Sequence, residues 1–258
     1  MTIEPFRVPN LLAGPNPGAR RVDGWIEEVQ YYVVTPRPKP KFKAVLSADA
    51  LFGRGGVRSS VTTRISDGSD GGDGGAGERR FELHITHQLG DYKLSETLMC
   101  RAEQGLHVTR FQREIEGTGG VPCRVEDVQW LDGPLAMPPA AYPEVTLPFV
   151  MRGQPLDGKA RSAWSWTNDR MMARVYYEVR RRGPIDVPAG RFEAAEVWMY
   201  PDLNDWISLG SLVTRLAKPL IPRYNIWFES APPHRVLRFE GPYGPPSSPE
   251  IVLELCDP

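Results

Sequence analysis

A chain of 258 residues, 41% of them hydrophobic, can bury a sizeable core and has the length of one large all-β domain or two smaller ones. Its 31 Lys and Arg against 32 Asp and Glu leave a formal net charge of -1, which excludes the chain-wide basic footprint of a nucleic-acid binder. With 25 glycines and 26 prolines, its segments are interrupted too often for long helices, and no apolar run reaches the ~20 residues that cross a bilayer as a helix.

Residues 1–21 read as an N-terminal extension without the charged-then-apolar pattern and cleavage site of a secretory signal. Cys100, Cys123 and Cys256 are unclustered and lack C-x-x-C spacing, which fits reduced thiols. Both features predict a cytoplasmic protein. Residues 22–258 are predicted to form a single domain. Val22 to Val34 reads as its first strand, rich in aromatic and β-branched residues, and Pro36, Pro38 and Pro40 end it because proline donates no ladder hydrogen bond. Strands at Phe42–Phe52 and Val57–Ile65 follow. Residues 66–77 contain only glycine, aspartate, serine and Ala76, so burial cannot offset their ordering entropy and a flexible loop is expected. Its aspartates lack the bidentate glutamate of a calcium loop.

Arg80–Leu89 with Tyr92–Arg101, and Leu106–Glu116 with Cys123–Leu131, form two predicted hairpins. The proline-rich stretch Gly133 to Pro155 reads as a crossing segment. Strands are then expected at Arg170–Arg181, Arg191–Tyr200, Tyr224–Ser230, Arg235–Glu240 and Glu250–Cys256. Between two of them, Ile207, Leu212, Leu216 and Leu220 share a face behind an N-cap at Asp205. One amphipathic helix is therefore predicted over 205–220, as a plug or a lid.

Three stretches carry a family resemblance: Asp186-Val-Pro-Ala-Gly190-Arg-Phe192, Tyr224-Asn-Ile-Trp227-Phe228-Glu229 with Arg235-Val-Leu-Arg238-Phe-Glu240, and the closing Ile251-Val-Leu-Glu-Leu255. Gly105-Leu106-His-Val-Thr-Arg110 adds a weaker match. Together they resemble a bacterial family of uncharacterised β proteins with the phrase V-P-A-G-x-F, similar in architecture to LolA-like lipoprotein carriers. The resemblance implies an antiparallel sheet curled into a half-open barrel with an apolar lining, and it supplies no catalytic residues. Export signals expected of such a family are absent from this sequence.

Periodicity points the same way independently. Phe192, Ala194, Trp198 and Tyr200 share one face of a strand, while Ala195, Val197 and Met199 share the other. Strands apolar on both faces need a second cover, which closing the sheet, adding the helix or forming a homodimer would supply. The expected fold is all-β: an antiparallel sheet curled into a half-open barrel, a β cup, with one inserted helix.

For chemistry, Glu82, His84, His107, Glu178 and Glu196 stand mid-strand among apolar neighbours, where desolvation can bring a pKa toward the working pH. His84 and His87, three apart in a strand, face opposite ways and cannot readily share a metal, so no metal site is predicted. There is no G-x-S-x-G elbow, phosphate loop or dinucleotide fingerprint, so no cofactor is expected. Tyr177, Trp198, Tyr200, Leu212, Leu216, Trp227 and Phe228 are the predicted ligand lining. Two functions are compatible with this pattern. One is binding of a hydrophobic small molecule of the lipid, polyketide or terpenoid kind in an apolar cavity. The other is a cofactor-independent cyclase or isomerase acting on such a ligand through buried acid–base residues. A third, a structural interaction module, would have a filled interior and an exposed apolar patch.

Overall fold

Period-two alternation turns most of the described residues into strand. The computed structural model describes residues 3–37, 56–66, 79–89, 92–117, 122–129, 138, 140–168, 171–202, 224–242 and 250–258. Its strands are β1 (Ala19–Val22), β2 (Trp25–Pro36), β3 (Val57–Ser66), β4 (Arg80–Leu89), β5 (Tyr92–Ala102), β6 (Leu106–Glu116) and β7 (Pro122–Gln129). They continue as β8 (Ala141–Pro143), β9 (Arg161–Asn168), β10 (Met171–Val187), β11 (Gly190–Pro201), β12 (Tyr224–Glu229), β13 (Val236–Pro242) and β14 (Glu250–Cys256). One short helix, α1 (Leu147–Val150), lies between single 3-10 turns at Glu144–Thr146 and Met151–Gly153.

All of these strands join one sheet, ordered β7-β6-β5-β4-β3-β2-β14-β13-β12-β11-β10-β9-β8, with β1 paired to β2. Every pairing is antiparallel except β8 with β9. The sheet does not close by hydrogen bonds into a full barrel, so the fold is the expected half-open cup. Several local expectations change. The first strand is a hairpin: Val22 pairs with Trp25 around Asp23-Gly24, whose φ values of 46° and 79° make the tight turn that suits twisted strands. β9 occupies a stretch without a predicted strand, and the 133–155 crossing segment contains β8 and α1. The predicted strand at 42–52, the loop from residue 67 to 77 and the helix at 205–220 lie outside the described residues.

One face of each strand builds the core. Phe81, Leu83 and Ile85 of β4 are fully buried, and across the sheet Val197 and Met199 of β11 and Ile226 and Phe228 of β12 join the same cluster. What fills the concavity is the stretch from Glu144 to Gly153, with Leu147, Phe149, Val150 and Met151 buried. Its buried Arg152 forks onto the Glu28 carboxylate, with Nη2 at 3.0 Å from Oε1. Asn16 Nδ2 donates to the same oxygen at 2.6 Å, and Arg152 also reaches the His234 and Pro233 carbonyls at 3.3 and 3.4 Å. With Gln30 and the Tyr32 hydroxyl beside it, this buried charge pair is enclosed by hydrogen bonds.

The N-terminal segment links β8, at one end of the strand order, to β6, next to the other end. Phe6 stacks on Tyr142 of β8 at 4.5 Å and meets Tyr177 edge-on at 5.8 Å. The Tyr142 hydroxyl accepts from the Phe6 amide at 2.8 Å and donates to the Leu106 carbonyl of β6 at 2.7 Å. The Leu106 amide in turn donates to the Phe6 carbonyl at 2.7 Å. Beside them Phe111 of β6 packs edge-on against Trp166 of β9 at 5.8 Å. Gly153 lets the segment pass: a Cβ there would stand 1.9 Å from the Arg7 carbonyl oxygen.

His87 is the buried titratable group on the inner face of β4. Its Nδ1 lies 2.6 Å from Ser59 Oγ, and burial pulls its pKa down to about 4 from 6.5. The unfolded chain therefore takes up this proton first on acidification. Stability from this site should be complete above pH 6.5 and decline between pH 6.5 and 4, by an amount on the order of 3 kcal/mol. The salt-bridged carboxylates Glu27, Asp127 and Asp157 have lowered pKa values, so their losses come at lower pH. Urea unfolding of wild type and His87→Gln at pH 7, 6 and 5 checks this; identical slopes in the two proteins would exclude His87 as the source.

Candidate functional site

The outward face of β9 to β13 explains how strands can be apolar on both sides. Each of four outward rings carries a guanidinium: Arg174 lies 5.3 Å from Trp164, Arg180 3.5 Å from Trp198, Arg238 5.5 Å from Trp227 and Arg235 5.3 Å from Phe192. Stacked guanidinium groups cover aromatic surface while keeping their charge hydrated, so no second layer is required.

A β-bulge shapes the site. Val179 pairs with Val197 and Arg181 with Glu196, leaving Arg180 as an extra residue in β10. The extra residue sends Arg180 over Trp198 and the next, Arg181, onto Glu196, so two consecutive arginines serve the same face. From Arg181 a cross-strand row runs through Glu196, Trp227, Arg238 and Glu254. The β10–β11 hairpin borders this row, and between them lies a groove of about 530 Å³. Arg181, Arg182, Ile185, Glu196, Trp227 and Arg238 are among the residues that line it, with Pro184 and Glu240.

Charge is unevenly spent there. Glu196, nearly buried, accepts from Arg181 Nε and from Trp198 Nε1 at 3.1 Å. Arg238 reaches Glu240 at 2.5 Å and Glu254 at 3.2 Å, and Glu240 also faces Arg37 at 3.4 Å. Both groove carboxylates thus have guanidinium partners. The guanidinium groups are not all used: Arg238 Nε is buried without a hydrogen-bond partner, and Arg181 engages Glu196 through Nε. Arg182 gives one nitrogen to the Leu156 carbonyl. The site can hold an aromatic or aliphatic body on Trp227 and Ile185 and hydrogen-bond acceptors on its arginines.

The acid–base candidates do not gather inside the cup. Glu82 and His84 occupy the outward face of β4, 3.7 Å apart, and His84 Nδ1 meets Thr97 Oγ1 at 2.9 Å. That hydrogen-bonded histidine, above all, holds the Glu82 carboxyl below its usual range. His107 alternates with buried Leu106 and Val108, and Glu178 with buried Tyr177, so both also face outward. Glu196 alone of the five lines the groove. None of the five therefore serves as an acid–base residue inside the cup, because the apolar partner in each alternating pair takes the inner position.

The predicted ligand residues divide between faces. Tyr177 and Phe228 are buried in the inner core, whereas Trp198, Tyr200 and Trp227 face outward. Leu212 and Leu216 lie outside the described residues. Trp227 and Glu196 meet at the groove, and Trp198 borders it through Glu196. Sequence reasoning missed Arg181, Arg182 and Arg238. The run Arg180-Arg-Arg182 was the available signal, and it reads equally well as a solvated strand end. Among the described residues no three His, Cys, Asp or Glu are grouped to hold a metal ion, and no helix is long and apolar enough to cross a membrane.

No protein-family model matches the chain, and no curated protein does. Among solved structures it is similar to a β-barrel-like protein of the domain of unknown function DUF1849 from Brucella abortus. That match has a TM-score of 0.45 and 12% identity, covering 89% of this chain and 98% of the other. A candidate lipoprotein from Parabacteroides distasonis gives a TM-score of 0.32 and 11% identity over 91% of this chain and 94% of its own. At these similarities no residue role passes from either protein to this one.

Proposed function

We propose that this protein binds a hydrophobic small molecule of the lipid, polyketide or terpenoid kind, and that the outer groove is its seat. The observation that carries this reading is the groove itself. Its volume of about 530 Å³ falls in the range of small-molecule sites, and it sets an indole and a few small or aliphatic side chains among charged ones. The Glu144–Gly153 segment packs against the described interior of the cup, and the groove is a place where the described residues leave room for a ligand. An isomerase or cyclase at the same place would depend on Glu196 as its base. That carboxylate is already bonded by Arg181 and Trp198, which favours binding over proton transfer.

Native mass spectrometry of protein purified from its own host, followed by organic extraction, tests the proposal. A retained hydrophobic molecule in stoichiometric amount, lost in Trp227→Ala, is the expected result. Retention unchanged by Trp227→Ala would place the ligand elsewhere, and an empty wild-type protein that also fails to take up added amphiphiles would end the binding reading.

A further inference from the structure

We infer that the groove's ligand is an anionic amphiphile whose carboxylate or phosphate head sits against Arg181 and Arg182 while its apolar body lies on Trp227 and Ile185. The inference rests on the groove being the ligand site and adds the chemistry of the head group. Three observations carry it.

First, the bulge at Arg180 turns Arg181 to the outward face, where it meets Glu196 beside the groove, and with Arg182 and Arg238 it gives the lining three guanidinium groups. Second, the acids that could neutralise this concentration are spoken for: Glu196 by Arg181 Nε and Trp198, Glu240 by Arg238 and Arg37. The lining residues Arg181, Arg182, Arg238, Glu196 and Glu240 therefore sum to a net positive charge. Third, Arg181 is bonded to Glu196 at Nε, an arrangement that anchors the fork and directs its terminal nitrogens elsewhere. Its side chain is 71% exposed, so those donors are open to an incoming oxygen pair. A planar fork of this kind matches the two oxygens of a carboxylate or phosphate. Trp227, Pro184 and Ile185 supply the apolar part of the lining and suit an aliphatic or ring body.

The probes are dodecanoate, dodecyl phosphate and dodecanol, titrated by calorimetry below their micelle concentrations at low and high salt. Both anions should bind roughly tenfold more tightly than the alcohol at low salt, with the advantage shrinking as salt screens the exposed guanidinium. The comparison of the two anions identifies the preferred head. In R181Q/R182Q the ratio of anion to alcohol affinity should fall to about one, a ratio that cancels any general change in the groove caused by losing the Arg181–Glu196 pair. Equal affinity for acid and alcohol in wild type would overturn the anionic head and leave the groove reading standing. An anion advantage that persists in R181Q/R182Q would overturn the placement of the head on these two residues and move it to other cations. Failure of all three probes to bind would overturn both.

Discussion

Replacing Arg152 by alanine is expected to cost about 3–5 kcal/mol of unfolding free energy, the range for removing one partner of a buried ion pair. Glu28 would keep Asn16 and Gln30 as donors and lose the charge that offsets its desolvation. Arg152 ties three remote parts of the chain: Glu28 on β2, the core-filling segment that carries α1, and the Pro233–His234 turn before β13. Its loss should therefore loosen all three together. Replacing both partners, as Glu28→Leu with Arg152→Met, should recover most of the loss, since apolar pairs of similar volume often match or exceed buried ion pairs. Urea unfolding of the two single variants and the double variant measures this. A single variant as stable as wild type would show that water reaches the pair.

The second large effect concerns closure of the cup. Phe6→Ala removes a ring held between Tyr142 and Tyr177, a truncation that typically costs 3–5 kcal/mol when the ring is fully enclosed. Phe6 holds its segment to Tyr142 of β8 and Leu106 of β6, so the loss should appear first as local release of residues 3–12 from these two strands. The Leu106 amide reports this directly, because its acceptor is the Phe6 carbonyl. Its hydrogen exchange should accelerate by roughly two orders of magnitude in Phe6→Ala, while amides in the β10–β11 ladder stay protected. Tyr142→Phe should give a smaller change of the same kind, since it leaves the Phe6 amide and Leu106 carbonyl without their shared hydroxyl. Unchanged Leu106 exchange in both variants would mean that the N-terminal segment is not what seals the cup.

Much of the strand content was legible because alternation and turn chemistry agree. β4, β5 and β11 fall close to where their apolar residues recur in twos. The Asp23-Gly24 turn was visible as a dipeptide and was overlooked because aromatic residues continue on both sides of it. β9 was obscured for another reason: Trp164 and Trp166 sit among serine, threonine and alanine, so its apolar rhythm is weak, while β10 supplies its register. Which face of a strand turns inward was not legible at all. In β11 both faces are apolar, and only the packed structure shows Ala195, Val197 and Met199 inside and Trp198 beneath Arg180. The groove was hidden by the bulge, since a two-residue period places Arg180 and Arg181 on opposite sides. Glu196 and Trp227 were within reach of sequence reasoning as individual residues, and their meeting was not.

The strand order carries a consequence for how the chain is made. Neighbours in the sheet are neighbours in sequence almost throughout, except at the seam where β2 lies against β14, with Tyr31 opposite Cys256. During translation the N-terminal meander from β2 to β7 can zip hairpin by hairpin, as can the C-terminal one, since each needs only short-range contacts. The seam edge of β2 must wait. At ordinary elongation rates, β2 precedes its partner by roughly 10–40 s, with one row of amides and carbonyls bare. The chain's most exposed moment therefore comes before β14 emerges, and stalled or truncated products lacking that strand are the species a ribosome-associated chaperone would have to shield.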